Sequence, residues 1–200
     1  AGDLWTMIRG EEPVRLTETD ALDEQEPQFS QYGEAVFFLK DDGLEMEVCR
    51  AEFSDGKLGE VSIIPAGKRS KRSLRVSPDG GRLSWIEATG DIVIAPAFGE
   101  GEAKVVTHGW DPPTYDWSPD GEWLVIGKKD LHANRDIWVV RADGSEKAVN
   151  LTRHPAFEGS PKWSPDGKTI VFVARRDEDE IARLWTVDVE GLGKKDFTKI

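Results

Sequence analysis

Apolar residues recur along this chain at a spacing of two, in short runs that follow a glycine. Three and five residues after Gly33, Gly80, Gly121 and Gly167 stand Val36 and Phe38, Leu83 and Trp85, Leu124 and Ile126, Ile170 and Phe172. Strict alternation over so few residues predicts half-buried β-strands. The runs are rich in β-branched and aromatic side chains, which suits a pleated surface. No segment carries a helical period over ten or more residues, so the chain is predicted to be all-β.

The four glycines lie 47, 41 and 46 residues apart. Two further elements keep the same period. One is "GDLWTM" at Asp3, "EMEVCR" near Glu47, "GDIVIA" at Asp91, "RDIWVV" at Asp136 and "ARLWTV" at Arg183. The other is "VRLT" at Val14, "VSII" at Val61, "KVVT" at Lys104, "VNLT" at Val149 and "KDFT" at Lys195. Repeats of this length signal a stacked array, because a single sheet of four strands cannot bury both its faces. In Ser118-Pro119-Asp120-Gly121 the proline presets φ, the aspartate tolerates the second turn position, and the glycine accepts a positive φ. The unit is therefore a tight hairpin between a first and a second strand, followed by a third and a fourth. Four antiparallel strands per ~45 residues, repeated, make a β-propeller.

The pattern "WSPDGKTIVF" at Trp163, with "DIWVV" and "VNLT" of the preceding copy, resembles the TolB-type propeller repeat, found in TolB and in the propeller domains of tricorn-like proteases and prolyl-oligopeptidase relatives. The match is close from Gly80 to Asp188. It is looser before that, where "SQYG" replaces "SPDG" and Glu47 replaces the aspartate ahead of the third strand. The layout is a half blade over 1–20 and blades over about 21–66, 67–107, 108–152 and 153–200, in a single propeller region. Because the first copy opens on its third strand, the expectation is a section of a longer propeller of about six or seven blades. Mis-phased early copies and closure with fewer blades stay open as the other layout. Unpaired blade edges would then favour self-association.

Composition narrows the function. A formal charge of −12 argues against broad nucleic-acid binding. No apolar run is long enough to cross a membrane as a helix, and the opening "AGDLWTM" is no signal peptide. The single Cys49 excludes an internal disulfide and a multi-cysteine metal site, and its acidic neighbours disfavour a thiolate. No nucleophile elbow, phosphate loop or zinc-protease motif is present. "EGLGKKDF" at Glu190 reads as a turn, and the Asn150-Leu151-Thr152 sequon as part of a strand. The three histidines lie 24 and 22 residues apart, without metal-ligand spacing. The chain itself is expected to be no enzyme, to hold no metal and to need no cofactor.

Seven tryptophans fall in repeat columns and are expected to pack: Trp5, Trp138 and Trp185; Trp117 and Trp163; Trp85 and Trp123. Trp110 aligns with Ala156 of the next copy, so the repeat does not require it. It lies in "THGWDPPTYDW", a connection from a fourth strand to the next blade, in which His108 and His154 also align. Packing on Pro112 and Pro113 is the plainer role for Trp110; a contact for a partner is the other. "AGKRSKRSLR" from Ala66 gathers five basic residues without an acidic one. It is either a solvated run or an anion site. "GKKDLHANRD" from Gly127 and "ARRDEDEIARL" from Ala174 read as solvated loops of mixed charge. The candidate ligand or partner residues are therefore His108, Trp110, Asp111, His154, Lys68, Arg69, Lys71 and Arg72.

The resemblance implies a non-catalytic module that binds a protein or peptide through its loops. The alternatives are a substrate-gating accessory domain of a larger tricorn-like serine protease, and a carbohydrate-binding or carbohydrate-processing propeller. It also implies a place outside the bacterial cytoplasm, in the periplasm, with a cytoplasmic one still open.

Overall fold

The computed structural model describes residues 2–19, 23–98, 101–109, 113–129, 133–176 and 181–189. They form seventeen strands and, among the described residues, no helix. A two-stranded sheet holds β1 (Trp5–Thr6) and β2 (Val14–Arg15). The next sheet runs in chain order through β3 (Asp23–Phe29), β4 (Ala35–Asp41), β5 (Met46–Ser54) and β6 (Lys57–Ile64). A third contains β7 (Lys71–Val76), β8 (Arg82–Glu87), β9 (Ile92–Pro96) and β10 (Lys104–Thr107). A fourth contains β11 (Thr114–Trp117), β12 (Trp123–Lys129), β13 (Arg135–Arg141) and β14 (Val149–Asn150). The last comprises β15 (Glu158–Trp163), β16 (Thr169–Ala174) and β17 (Arg183–Asp188). The fourth strand expected at "KDFT" lies outside the described residues. Three of the five sheets are the four-stranded antiparallel blades that the repeat predicts, and the fold class is a β-propeller.

The chain divides into two compact units, Ala1–Ala88 with Val93–Lys104, and Thr89–Ile92 with Val105–Ile200. In the first, Phe37, Leu39, Val48, Leu74, Leu83 and Trp85 form one buried cluster. Leu4, Val36, Phe38, Cys49 and Ala51 form another, on the opposite face of β4 and β5. Burial pushes the Cys49 thiol up to about 11, so it stays protonated. In the second unit Val125, Ile137, Val139, Ile170 and Phe172 make the core. Trp85, Trp117 and Trp123 are buried, and Trp163 and Trp185 pack against that core. Trp5 departs from the packing role expected of its column: it is 59% exposed, on a two-stranded sheet too narrow to cover it.

The hairpin is built from side chains as much as from backbone. In all three SPDG copies the serine hydroxyl donates to the aspartate Oδ1, at 2.5 Å from Ser77 and Ser118 and 2.6 Å from Ser164. The same Oδ1 accepts the amide two residues on, from Gly81, Glu122 and Lys168. The serine Oγ in turn accepts the amides of Arg82, Trp123 and Thr169. The four turn glycines have φ between +70° and +74°, where a Cβ would be strained. The SQYG copy keeps the amide-to-serine bond, Ala35 to Ser30 at 3.0 Å. Tyr32 stands in place of the aspartate and points to solvent, 80% exposed.

Two further regularities lie in three of the four first strands, β3, β7 and β15. Nine residues before the turn glycine stands a charged side chain that is buried: Glu24, Lys71 and Glu158, at 8%, 3% and 0% exposure. Glu24 accepts the hydroxyls of Thr17 and Thr19. Glu158 takes the Arg176 guanidinium, which stacks 4.6 Å from the Trp185 ring. Seven residues before the glycine, Glu26, Ser73 and Ser160 have positive φ, and each marks a β-bulge. Pro27 and Pro161 follow two of these bulges, since a proline cannot donate to a ladder. The bulges tie neighbouring first strands together: the Leu74 amide donates to Glu26 Oε2 at 2.6 Å, and that of Ser160 to Thr114 Oγ1 at 3.1 Å.

Candidate functional site

In the first unit the basic run lies on the connection from β6 to β7. Ala66 is buried and Gly67 has a φ of +67°, so the loop turns on an apolar anchor. Lys68 pairs with Glu45 at 2.6 Å, and that carboxylate raises its pKa. Arg69 donates to Glu87 at 3.0 Å. Arg72 is exposed on β7. Lys71 is different. Its ammonium donates to the carbonyls of Met46 and Gly67 at 2.7 Å and of Arg69 at 2.8 Å. An ammonium has three N–H groups, so all are used. Lys71 occupies the buried-charge column shared with Glu24 and Glu158, and it holds the loop from below. Lys68, Arg69 and Arg72 remain on the outside.

In the second unit the repeated aspartate at the third strand is a loop clamp. Asp91 Oδ1 accepts the Gly109 amide at 3.1 Å and lies 3.2 Å from His108 Nδ1, while Oδ2 accepts the Thr89 hydroxyl. Asp136 Oδ1 accepts the His154 amide at 3.2 Å, and Oδ2 takes Asn150 Nδ2 at 2.6 Å. Asp3, in the first unit, does the same for Thr19. In each case the amide held is two residues past the threonine of the "LT" or "VT" element, so a main-chain clamp explains why aspartate and threonine recur together.

The two histidines then separate. The His108 ring is 82% exposed beside Asp91. His154 turns back on its own loop, where Nδ1 accepts the Ala156 amide at 3.1 Å. Trp110 and Asp111 lie outside the described residues, as does His132. Among the described residues no group of three or more His, Cys, Asp or Glu side chains could hold a metal ion.

Lys128 belongs to the site by position, and sequence reasoning placed it in a solvated loop. It lies on β12 and is half-buried. Its Nζ donates to Thr107 Oγ1 at 3.3 Å and sits 5.0 Å from the Trp138 ring centroid. Desolvation lowers its pKa. The signal was available: Leu124, Ile126 and Lys128 continue one period-2 stripe, so the lysine falls on an apolar face.

The chain matches no protein-family model. It is 24% identical to a tricorn protease homolog of Saccharolobus solfataricus over 125 residues, covering 62% of this chain and 12% of that protein. It is 36% identical to the Tol-Pal system protein TolB of Orientia tsutsugamushi over 63 residues, covering 30% of this chain and 14% of that protein. Its fold superposes on the crystal structure of TolB from Acinetobacter baumannii with a TM-score of 0.64 and 18% identity, covering 90% of this chain and 44% of that one. The chain thus spans only 12% and 14% of the two curated relatives. Fold, repeat and these likenesses agree that the chain is related to the TolB-like, SPDG-repeat β-propellers.

Proposed function

We propose that the chain is a non-catalytic propeller module that binds a protein or peptide through the connections leading from a fourth strand to the next blade. One observation carries this reading: those connections are clamped from within. Asp91 holds Gly109, Asp136 holds His154, and Lys71 holds three carbonyls of its own loop and its neighbour. Exposed His108, Lys68, Arg69 and Arg72 therefore sit on rigid supports, which reduces the ordering cost of binding. Trp110 and Asp111 share the His108 connection by sequence. The Tol-Pal name of one relative supports a protein partner, and with it a place outside the cytoplasm.

The test is a peptide library or pull-down with the purified chain, followed by Trp110→Ala and, as a control, Glu122→Ala. An anchoring tryptophan costs on the order of 2 kcal/mol of affinity when removed, and the control costs little. Equal small effects with folding intact return Trp110 to packing. A second reading, a substrate-gating domain of a tricorn-like serine protease, draws on the 62% of the chain that aligns with such a protein. Whether the parent reading frame encodes a protease domain decides between the two.

A further inference from the structure

We propose that Lys128 anchors a carboxylate-binding subsite that takes a carboxylate of a bound peptide; the inference rests on the peptide-binding reading above. The Lys128 ammonium has donors left over among the described residues. It has three N–H donors, and the only side-chain oxygen it reaches among the described residues is the Thr107 hydroxyl. Its other neighbour is the face of Trp138. A cation over an aromatic ring in a partly dry setting is attracted to the ring but keeps its need for an anion.

Among the described residues, the carboxylates that could have served it are committed elsewhere. Asp136 is its cross-strand partner on β13. Its two oxygens are taken by Asn150 and the His154 amide. Asp91 is occupied by Thr89, Gly109 and His108. Nor does the repeat demand a lysine here. Seven residues past the turn glycine the other copies carry Lys40, Glu87 and Ala174. A half-buried cation that neither the repeat nor a described neighbour requires is a place for a ligand.

The ligand's charge follows from the surroundings. One ammonium and one hydroxyl match a single negative charge. A chain of net charge −12 repels polyanions, and a monoanion suffers least. Thr107 ends β10, directly before the exposed His108, so the subsite opens beside the connection already assigned to the partner. A peptide can supply the group from its C-terminus or from an acidic side chain.

Calorimetric titration of the purified chain separates these sources. The probes are acetyl-Ala-Leu as the free acid, the same dipeptide as its amide, acetyl-Ala-Glu-amide, and inorganic phosphate. The free acid should bind and its amide should not; binding by acetyl-Ala-Glu-amide would assign the side-chain source instead. Lys128→Gln should weaken the carboxylate probes by about tenfold or more, the loss expected for one charged hydrogen bond, and Lys128→Arg should restore most of it. If Lys128→Gln fails to fold, the Cε–Hε resonance of Lys128 in the wild-type chain gives the answer by shifting with the acid and not with the amide. Equal binding of acid and amide, no binding of either carboxylate probe, or phosphate bound as tightly as the carboxylates would overturn the proposal. A library peptide that binds wild type and Lys128→Gln alike would overturn it while leaving the broader reading standing.

Discussion

Lys71 and Lys128 are the same side chain put to opposite uses. Both are drawn out of water and both have a pKa lowered chiefly by burial. Lys71 meets three carbonyls and has no donor left. Among the described residues Lys128 meets one hydroxyl and an aromatic face. The difference is one of valence: a saturated ammonium is a structural cap, whereas an unsaturated one keeps binding capacity. The two histidines differ in the same way, His154 folded onto its own loop and His108 turned outward.

The largest effect that could break this comparison concerns stability. Lys71→Met should destabilise the chain by about 2–3 kcal/mol, because it strips buried carbonyls of their donor. Lys128→Met should stay within about 1 kcal/mol or even stabilise, since it replaces a cation with no carboxylate partner among the described residues by an apolar group of similar length. Chemical denaturation of both variants checks this; equal losses would put the two lysines in one class. Next in size, His154→Ala should cost about 1 kcal/mol through the lost Ala156 bond, and His108→Ala only a few tenths, as for an exposed pair. Thermal melts of the two variants decide.

The smallest effect tests the hairpin. Tyr32→Asp gives the SQYG turn the carboxylate that the other copies have, and should stabilise by about 0.5–1 kcal/mol at neutral pH. In Asp79 and Asp166 the serine hydroxyl, before any other group, holds the carboxyl below its ordinary 3.8. A carboxylate with a depressed folded pKa contributes stability above 3.8 that is lost as pH falls through the folded value. The gain from Tyr32→Asp should therefore disappear on acidification below about pH 4. A gain that persists in acid would mean the aspartate acts without its charge.

Much of the fold was legible because hairpin chemistry and period-2 burial are local. The turn glycines, the strand columns and the inert Cys49 all follow from neighbours a few residues away. The aspartate of the third strand was legible as a repeat, but its partner amide two residues past the threonine was not, because nothing in the pattern says which backbone group it holds. The first-strand bulges left a trace in Pro27 and Pro161 that the alternation argument passed over. The candidate site was read less well for a physical reason. A run of basic residues in sequence measures charge density, whereas ligand capacity depends on how many donors the folded chain has left unused. Lys71 looked available within "KRSKR", and Lys128 looked solvated within "GKKD". The order reverses once carbonyls and carboxylates are placed around them.

The most direct test of that reversal watches both ammonium groups at once. In a lysine-selective 15N–1H spectrum at neutral pH, Lys71 should show an ammonium signal protected from solvent exchange and indifferent to added acetyl-Ala-Leu. The Lys128 signal should shift and sharpen as the same free acid is titrated in, and stay unchanged with the amide. A Lys71 signal that responds to the acid while Lys128 does not would contradict the account.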